Sequence, residues 1–237
     1  MSLDALHQPP LMPHLLIEGL NRYNDEPCLF LGDKVASYRE VREQTSQLVQ
    51  ALQSKGLGKG SRIAIISANR PEVLSNIAAM QLNGCIGTPL HPLGSLDDHA
   101  YVLEAAEIET LVFDASVFSE VAAALKARVP GLKILLGFGP NEVGDDYLAL
   151  AESFEPQPLV APDIAAEDVA SVNFTGGTTG KPKGAVLTHH NQMVLTTSMA
   201  SMVSLGPDDI ILNAAPLFHA AQLNLFLNPG TYMGATH

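Results

Sequence analysis

An α/β fold, with a parallel sheet flanked by helices, is the class this sequence predicts. Short runs of Ile, Val and Leu alternate with longer segments of helical periodicity between Arg62 and Leu136, the pattern of strands joined by crossover helices. The segment boundaries carry helix signals: Pro71 in a first turn, Ser95 at an N-cap and Gly56 at a stop. The 237 residues are 46% hydrophobic and 16% charged, enough for a sizeable core and one or two domains.

In chain order, residues 11–25 predict a short helix, with Leu15, Leu16, Gly19 and Leu20 at helical spacing. Cys28 to Leu31 and Val35 to Tyr38 flank Gly32-Asp33 and read as a β-hairpin. Tyr38 to Lys55 follows as an amphipathic helix, with Val41, Thr45, Leu48, Val49 and Leu52 on one face. The alternation then runs strand 63–67, helix 71–83, strand 86–89, a helix opened by Ser95, strand 110–113, helix 116–129 and strand 133–136. Asp97 and Asp98 suit the first turn of the helix after Ser95. From Gly137 to Asp168 glycines and prolines break the pattern, so an irregular connector with a short helix near 146–153 is expected. Val169 to Phe174 and Ala185 to Leu187 read as buried strands, 190–204 as a helix stopped by Gly206-Pro207, and Ile210 to Ala214 as a further strand.

The formal net charge of −12 argues against nucleic acid or an anionic membrane surface as a partner. Cys28 and Cys85 give neither a disulfide framework nor metal spacing, which makes a reducing cytoplasm the default compartment. The N-terminus has no signal-peptide pattern. Residues 210–237 lack Asp, Glu, Lys and Arg. Asn213, Pro216, His219, Gln222, Asn224, Asn228 and Pro229 nevertheless interrupt them too often for a bilayer span.

One loop stands apart: Thr175-Gly176-Gly177-Thr178-Thr179-Gly180-Lys181-Pro182-Lys183-Gly184. Its glycines let the backbone approach a ligand without a Cβ in the way. Its threonines and lysines add hydroxyls and positive charge, the equipment for a polyphosphate. After Lys133 the only basic residues are Lys181 and Lys183, against ten carboxylates. A Walker loop is excluded, because Thr175 and Pro182 occupy positions where that pattern needs Gly and Ser or Thr. A plain flexible connection between two strands is the bland alternative. Glycine, hydroxyl and lysine chemistry coinciding in one loop argues against it.

This loop, followed by Leu187-Thr188-His189, resembles the signature of the adenylate-forming acyl-CoA synthetases. That superfamily includes acyl- and aryl-CoA ligases, peptide-synthetase adenylation domains and luciferases. Gly176, where many members have Ser, is most similar to fatty-acyl-CoA ligases. The resemblance implies a layered αβαβα N-terminal domain, here incomplete. Residues 1–60 would supply helix, hairpin and helix, 61–168 the α/β sheet segment and connector, and 169–237 the phosphate-loop strand, a helix and the acyl-site strand. It further implies ATP with Mg²⁺, a carboxylic (fatty) acid and CoA as the ligands, joined through an acyl-adenylate with release of pyrophosphate. Thr175, Gly176, Gly177, Thr178, Thr179, Gly180 and Lys183 would then hold the phosphates, and Thr178 and Thr179 would also meet the Mg²⁺. Lys183 outranks Lys181 because members keep a basic residue at its position.

Ala215-Pro216-Leu217-Phe218-His219 is similar to the family's acyl-site segment, which makes Phe218 and His219 candidate substrate-site residues. Gln222 departs from the Gly often found three residues after that His. Thr188, His189 and His190 fit a capped helix start, Cys85 a small buried residue. No nucleophile elbow or zinc-like His spacing occurs. The family's Tyr-Gly-x-Thr-Glu and Arg-Thr-Gly-Asp segments, and its C-terminal domain with a catalytic Lys, are not in these 237 residues. The chain is therefore expected to be an N-terminal fragment that does not turn over alone and exposes a face prone to self-association. A non-catalytic nucleotide-binding or structural module, and a peptide-synthetase adenylation domain, stay open as alternatives.

Overall fold

The computed structural model describes residues 9–175, 181–217 and 219–237. It begins with α1 (Met12–Arg22), the antiparallel hairpin of β1 (Pro27–Leu31) and β2 (Lys34–Ser37), and α2 (Tyr38–Ser54). Ser37 caps α2 by accepting the Glu40 N–H at 3.2 Å. Gly56, at φ +74°, turns the chain out of it.

The central sheet then assembles from β3 (Arg62–Ile66), β4 (Ile86–Pro89), β5 (Thr110–Asp114), β6 (Ile134–Phe138), β7 (Asp145–Asp146), β8 (Val169–Phe174) and β9 (Gly184–Thr188). Among the described residues the order is β7-β6-β5-β3-β4-β8-β9. All neighbours pair in parallel except β8 and β9. Between the strands lie α3 (Pro71–Leu82), α4 (Leu96–Ala105), α5 (Ala115–Arg128) and α6 (Tyr147–Glu152).

Alternation along the strands sorts the helices onto two faces. Ile63, Ile65, Val112, Leu136 and Phe138 pack in one cluster with residues of α2, α3 and α6. Ala64, Ile66, Leu111, Phe113 and Leu135 pack in a second cluster with α4 and α5. The result is helix, sheet, helix, as the alternation of runs predicts. The connector before β8 is irregular, and α2 holds it. Gln47 and Gln50 donate to the Phe154 and Glu155 carbonyls at 2.9 and 2.8 Å, and Ser46 Oγ accepts the Gln157 N–H at 2.7 Å.

Two expectations need correcting, and one stretch holds helices that no expectation named. Strand β9 is not buried: it lies at the sheet edge, Val186 is 55% exposed, and it pairs antiparallel because the loop before it is too short for a crossover helix. Residues 210–214 form no strand. Ile210 makes one isolated bridge to Thr236, and Ile210 and Leu212 stay exposed. Beyond α7 (His189–Met202), the apolar stretch coils into a π-helix (Gln222–Leu227) that runs into α8 (Asn228–Met233), helices its broken pattern concealed. Helix α8 packs on α1 at Gly19, where a Cβ would lie 2.4 Å from the Thr231 carbonyl oxygen. No helix among the described residues is long and apolar enough to cross a membrane.

Candidate nucleotide and acyl site

Strand order places the chemistry-bearing loops together. The parallel strands share one direction, so the turns after β3, β4, β5 and β8 leave from the same edge of the sheet, where ligands bind in open α/β sheets. The loop after β8 is closed at its base by ladder pairing of Phe174 with Gly184. The Thr175 N–H adds a bond to the Lys183 carbonyl at 2.9 Å. Gly184 is required here, since a Cβ would sit 2.8 Å from Val172 Cγ1. Gly176, Gly177, Thr178, Thr179 and Gly180 lie outside the described residues.

The two loop lysines differ in their surroundings. Lys181 Nζ lies 5.2 Å from the centroid of the Tyr101 ring, within cation–π range. Tyr101, on α4, also donates its hydroxyl to the Pro182 carbonyl at 3.1 Å and meets the Phe174 ring edge-on. Lys183 is exposed beside the loop base. Tyr101 thus fastens one arm of the loop to the helix layer, a role its sequence position does not signal.

At the start of α7, Thr188 is a true cap: its Oγ1 accepts the Asn191 N–H at 3.1 Å, and Asn191 Oδ1 accepts the Thr188 N–H at 3.0 Å. His189 is fully buried with no hydrogen-bond partner at either ring nitrogen. Burial keeps its pKa below the ordinary histidine value.

The second candidate segment comes within reach through a shared cavity. About 50 Å³ in volume, it lies between α3, β4, β8, α7, Leu217 and Leu223. Asn173, two residues before Thr175, lines it, and so do Leu217, next to Phe218, and Leu223. Thr88, Gln81 and Gln192 bring buried polar atoms without partners to the same walls. Cys85 is a small wall residue, its thiol pushed up to about 12 by burial. His219 stands three residues before the π-helix: its N–H donates to the Pro216 carbonyl at 3.0 Å and its Nδ1 accepts the Ala221 N–H at 3.2 Å. Phe218 lies outside the described residues. Gln222 is buried and donates to Asn213 Oδ1 at 2.6 Å.

Residues 17–237 match the family described as AMP-binding enzyme. The chain belongs to that family. Among its curated relatives, the medium/long-chain-fatty-acid–CoA ligase FadD8 of Mycobacterium tuberculosis is 40% identical over 225 residues, covering 92% of this chain and 39% of that protein. A feruloyl-CoA synthase of Amycolatopsis is 30% identical over 207 residues, covering 86% and 39%. The solved anthranilate CoA ligase AuaEII, in complex with anthranoyl-AMP, superposes with a TM-score of 0.87 at 21% identity, covering 100% of this chain and 46% of that one. That likeness shows the fold of the N-terminal domain of an AMP-binding enzyme. The chain spans about two fifths of the length of these curated relatives.

Proposed function

We propose that this chain is the N-terminal part of an acyl-CoA ligase, with a fatty acid as the acyl donor. A carboxylate oxygen attacks the α-phosphorus of ATP, pyrophosphate leaves, and the CoA thiol then displaces AMP from the acyl-adenylate. The observation that carries this reading is the common cavity: the strand feeding the phosphate loop and the segment leading to Phe218 and His219 line one space. Such convergence is what acyl transfer to a nucleotide phosphate requires, since fixed geometry supplies much of the rate.

In this reading Thr175, the glycines 176, 177 and 180, Thr178, Thr179 and Lys183 cradle the β- and γ-phosphates. Among the described residues no group of three or more His, Cys, Asp or Glu side chains is placed to hold a metal. The hydroxyl-rich loop suits a Mg²⁺ carried in by the nucleotide, which takes oxygen ligands and keeps several waters. Bound there, the ion would neutralise charge on the departing pyrophosphate. Phe218 and His219 border the acyl group in this reading, and Leu217, Leu223 and Ile77 give the neighbouring cavity its apolar walls.

The test is acid-dependent pyrophosphate release by the full-length protein, with ATP, Mg²⁺ and a panel of fatty and aromatic acids. Lys183→Ala should weaken the ATP contact by about 1.5–3 kcal/mol, the range for hydrogen bonds to charged groups. Lys181→Ala should cost less, because Lys181 already rests on Tyr101. Equal losses would overturn the principal role of Lys183. The 237-residue chain alone should give no sustained release.

A further inference from the structure

We propose that Asn69 is the positioning residue of the acyl site, an assignment that rests on the ligase reading above. Asn69 follows β3 at the sheet edge where the candidate loops gather. Its amide Nδ2 donates to the Asn213 carbonyl at 3.1 Å and to the Ala215 carbonyl at 3.0 Å. Its Oδ1 accepts the Leu217 N–H at 2.8 Å. One side chain therefore holds the backbone of residues 213, 215 and 217, alternate positions of a stretch that belongs to no strand. In a sheet, a neighbouring strand would satisfy these groups. Here the amide does so, because it has both donors and an acceptor.

The base of this clamp is rigid. Arg70, the next residue, donates Nε to Glu72 Oε2 at 2.8 Å, Nη2 to Glu72 Oε1 at 3.1 Å and Nη1 to Asp114 Oδ1 at 2.9 Å. Its guanidinium also lies 5.3 Å from the Phe138 ring centroid. Burial alone would raise the Glu72 carboxyl, but the hydrogen bond from Arg70 holds it below its ordinary value. Asn69 is thereby referenced to α3 and to the ends of β5 and β6. On the far side of the clamped stretch, Gln222 donates to Asn213 Oδ1, so the residue in place of the family's usual Gly braces the same segment. The clamp ends at Leu217, one residue from Phe218 and two from His219. Its hydrogen bonds go to the backbone of residues 213, 215 and 217. Its loss should therefore move the acyl wall and leave the nucleotide grip alone.

The experiment is steady-state kinetics of the full-length protein with Asn69→Asp and Asn69→Ala. Asp keeps the volume and the acceptor for Leu217 but cannot donate to the two carbonyls. In both variants KM for the acid should rise at least about tenfold, since Asn69→Asp loses two hydrogen bonds and Asn69→Ala three, with KM for ATP unchanged. In the 237-residue chain, amide exchange at Leu217 should accelerate in Asn69→Ala and stay slow in Asn69→Asp. Equal movement of both KM values, or of neither, would overturn the assignment, as would slow Leu217 exchange in Asn69→Ala. Absence of acid-dependent release from the unsubstituted protein would overturn the ligase reading itself, and the assignment with it.

Discussion

The ladder from β3 to β6 and the stretch from Ser204 to His237 are held by different means. In the ladder, backbone pairs with backbone in unbroken register, as in Ile63↔Thr110 through Ile66↔Phe113. In the later stretch, single side chains from distant parts of the chain do much of the work. Asn69 holds residues 213 to 217, and the Tyr38 hydroxyl donates to the Ala235 carbonyl at 2.7 Å. Short backbone bridges add to this, such as the His237 N–H to the Cys28 carbonyl at 2.8 Å. A ladder tolerates any side chains that keep the apolar alternation. A segment held by individual polar groups depends on each of them by name.

The largest expected effect tests the ladder side. Phe113 is fully buried in the cluster beneath α4 and α5. Phe113→Ala should cost about 3–5 kcal/mol through lost burial and a cavity. Urea unfolding of the 237-residue chain measures it, and a loss below about 1 kcal/mol would mean that this layer repacks freely.

A second prediction pits the two regions against each other by pH. His237 is buried, and desolvation lowers its pKa from 6.5 to about 4. Its folded value lies below its unfolded value, so its contribution is complete above about pH 6.5 and is lost as pH falls towards 4. The total is about 3 kcal/mol. His189, lowered in the same direction by burial, adds to the trend. Hydrogen exchange between pH 7 and 4.5 should show the Phe30 and His237 amides opening before those of β5. Simultaneous opening would erase the distinction between the regions.

The smallest effect concerns the edge hairpin. Tyr101→Phe removes the donor to the Pro182 carbonyl and keeps the ring against Phe174. It should cost about 1 kcal/mol in denaturant unfolding. No change at all would mean that the loop arm gains nothing from α4.

Much of the fold was readable from the residues because its signals are local. Alternating apolar runs, Ser37, Ser95 and Thr188 as caps and Pro71 in a first turn each act within a few positions. The same holds for the candidate phosphate loop, whose glycines, threonines and lysines fall within ten consecutive residues. The candidate site was readable as two motifs but not as one place. Asn173 and Leu217 share a cavity only through the order of the strands and the lie of α3 and α7.

Local pattern, then, determined the elements up to α7, the αβα layering and membership of the AMP-binding enzymes. Tertiary structure decided the rest. It made 184–188 an exposed edge strand and denied 210–214 a strand, although the second run carries the larger apolar side chains. Whether such a run pairs depends on which backbone lies beside it, and periodicity carries no information about that. It also gave Asn69 its role, since no signal within the chain foretells that one amide will meet three backbone groups 144 to 148 residues away.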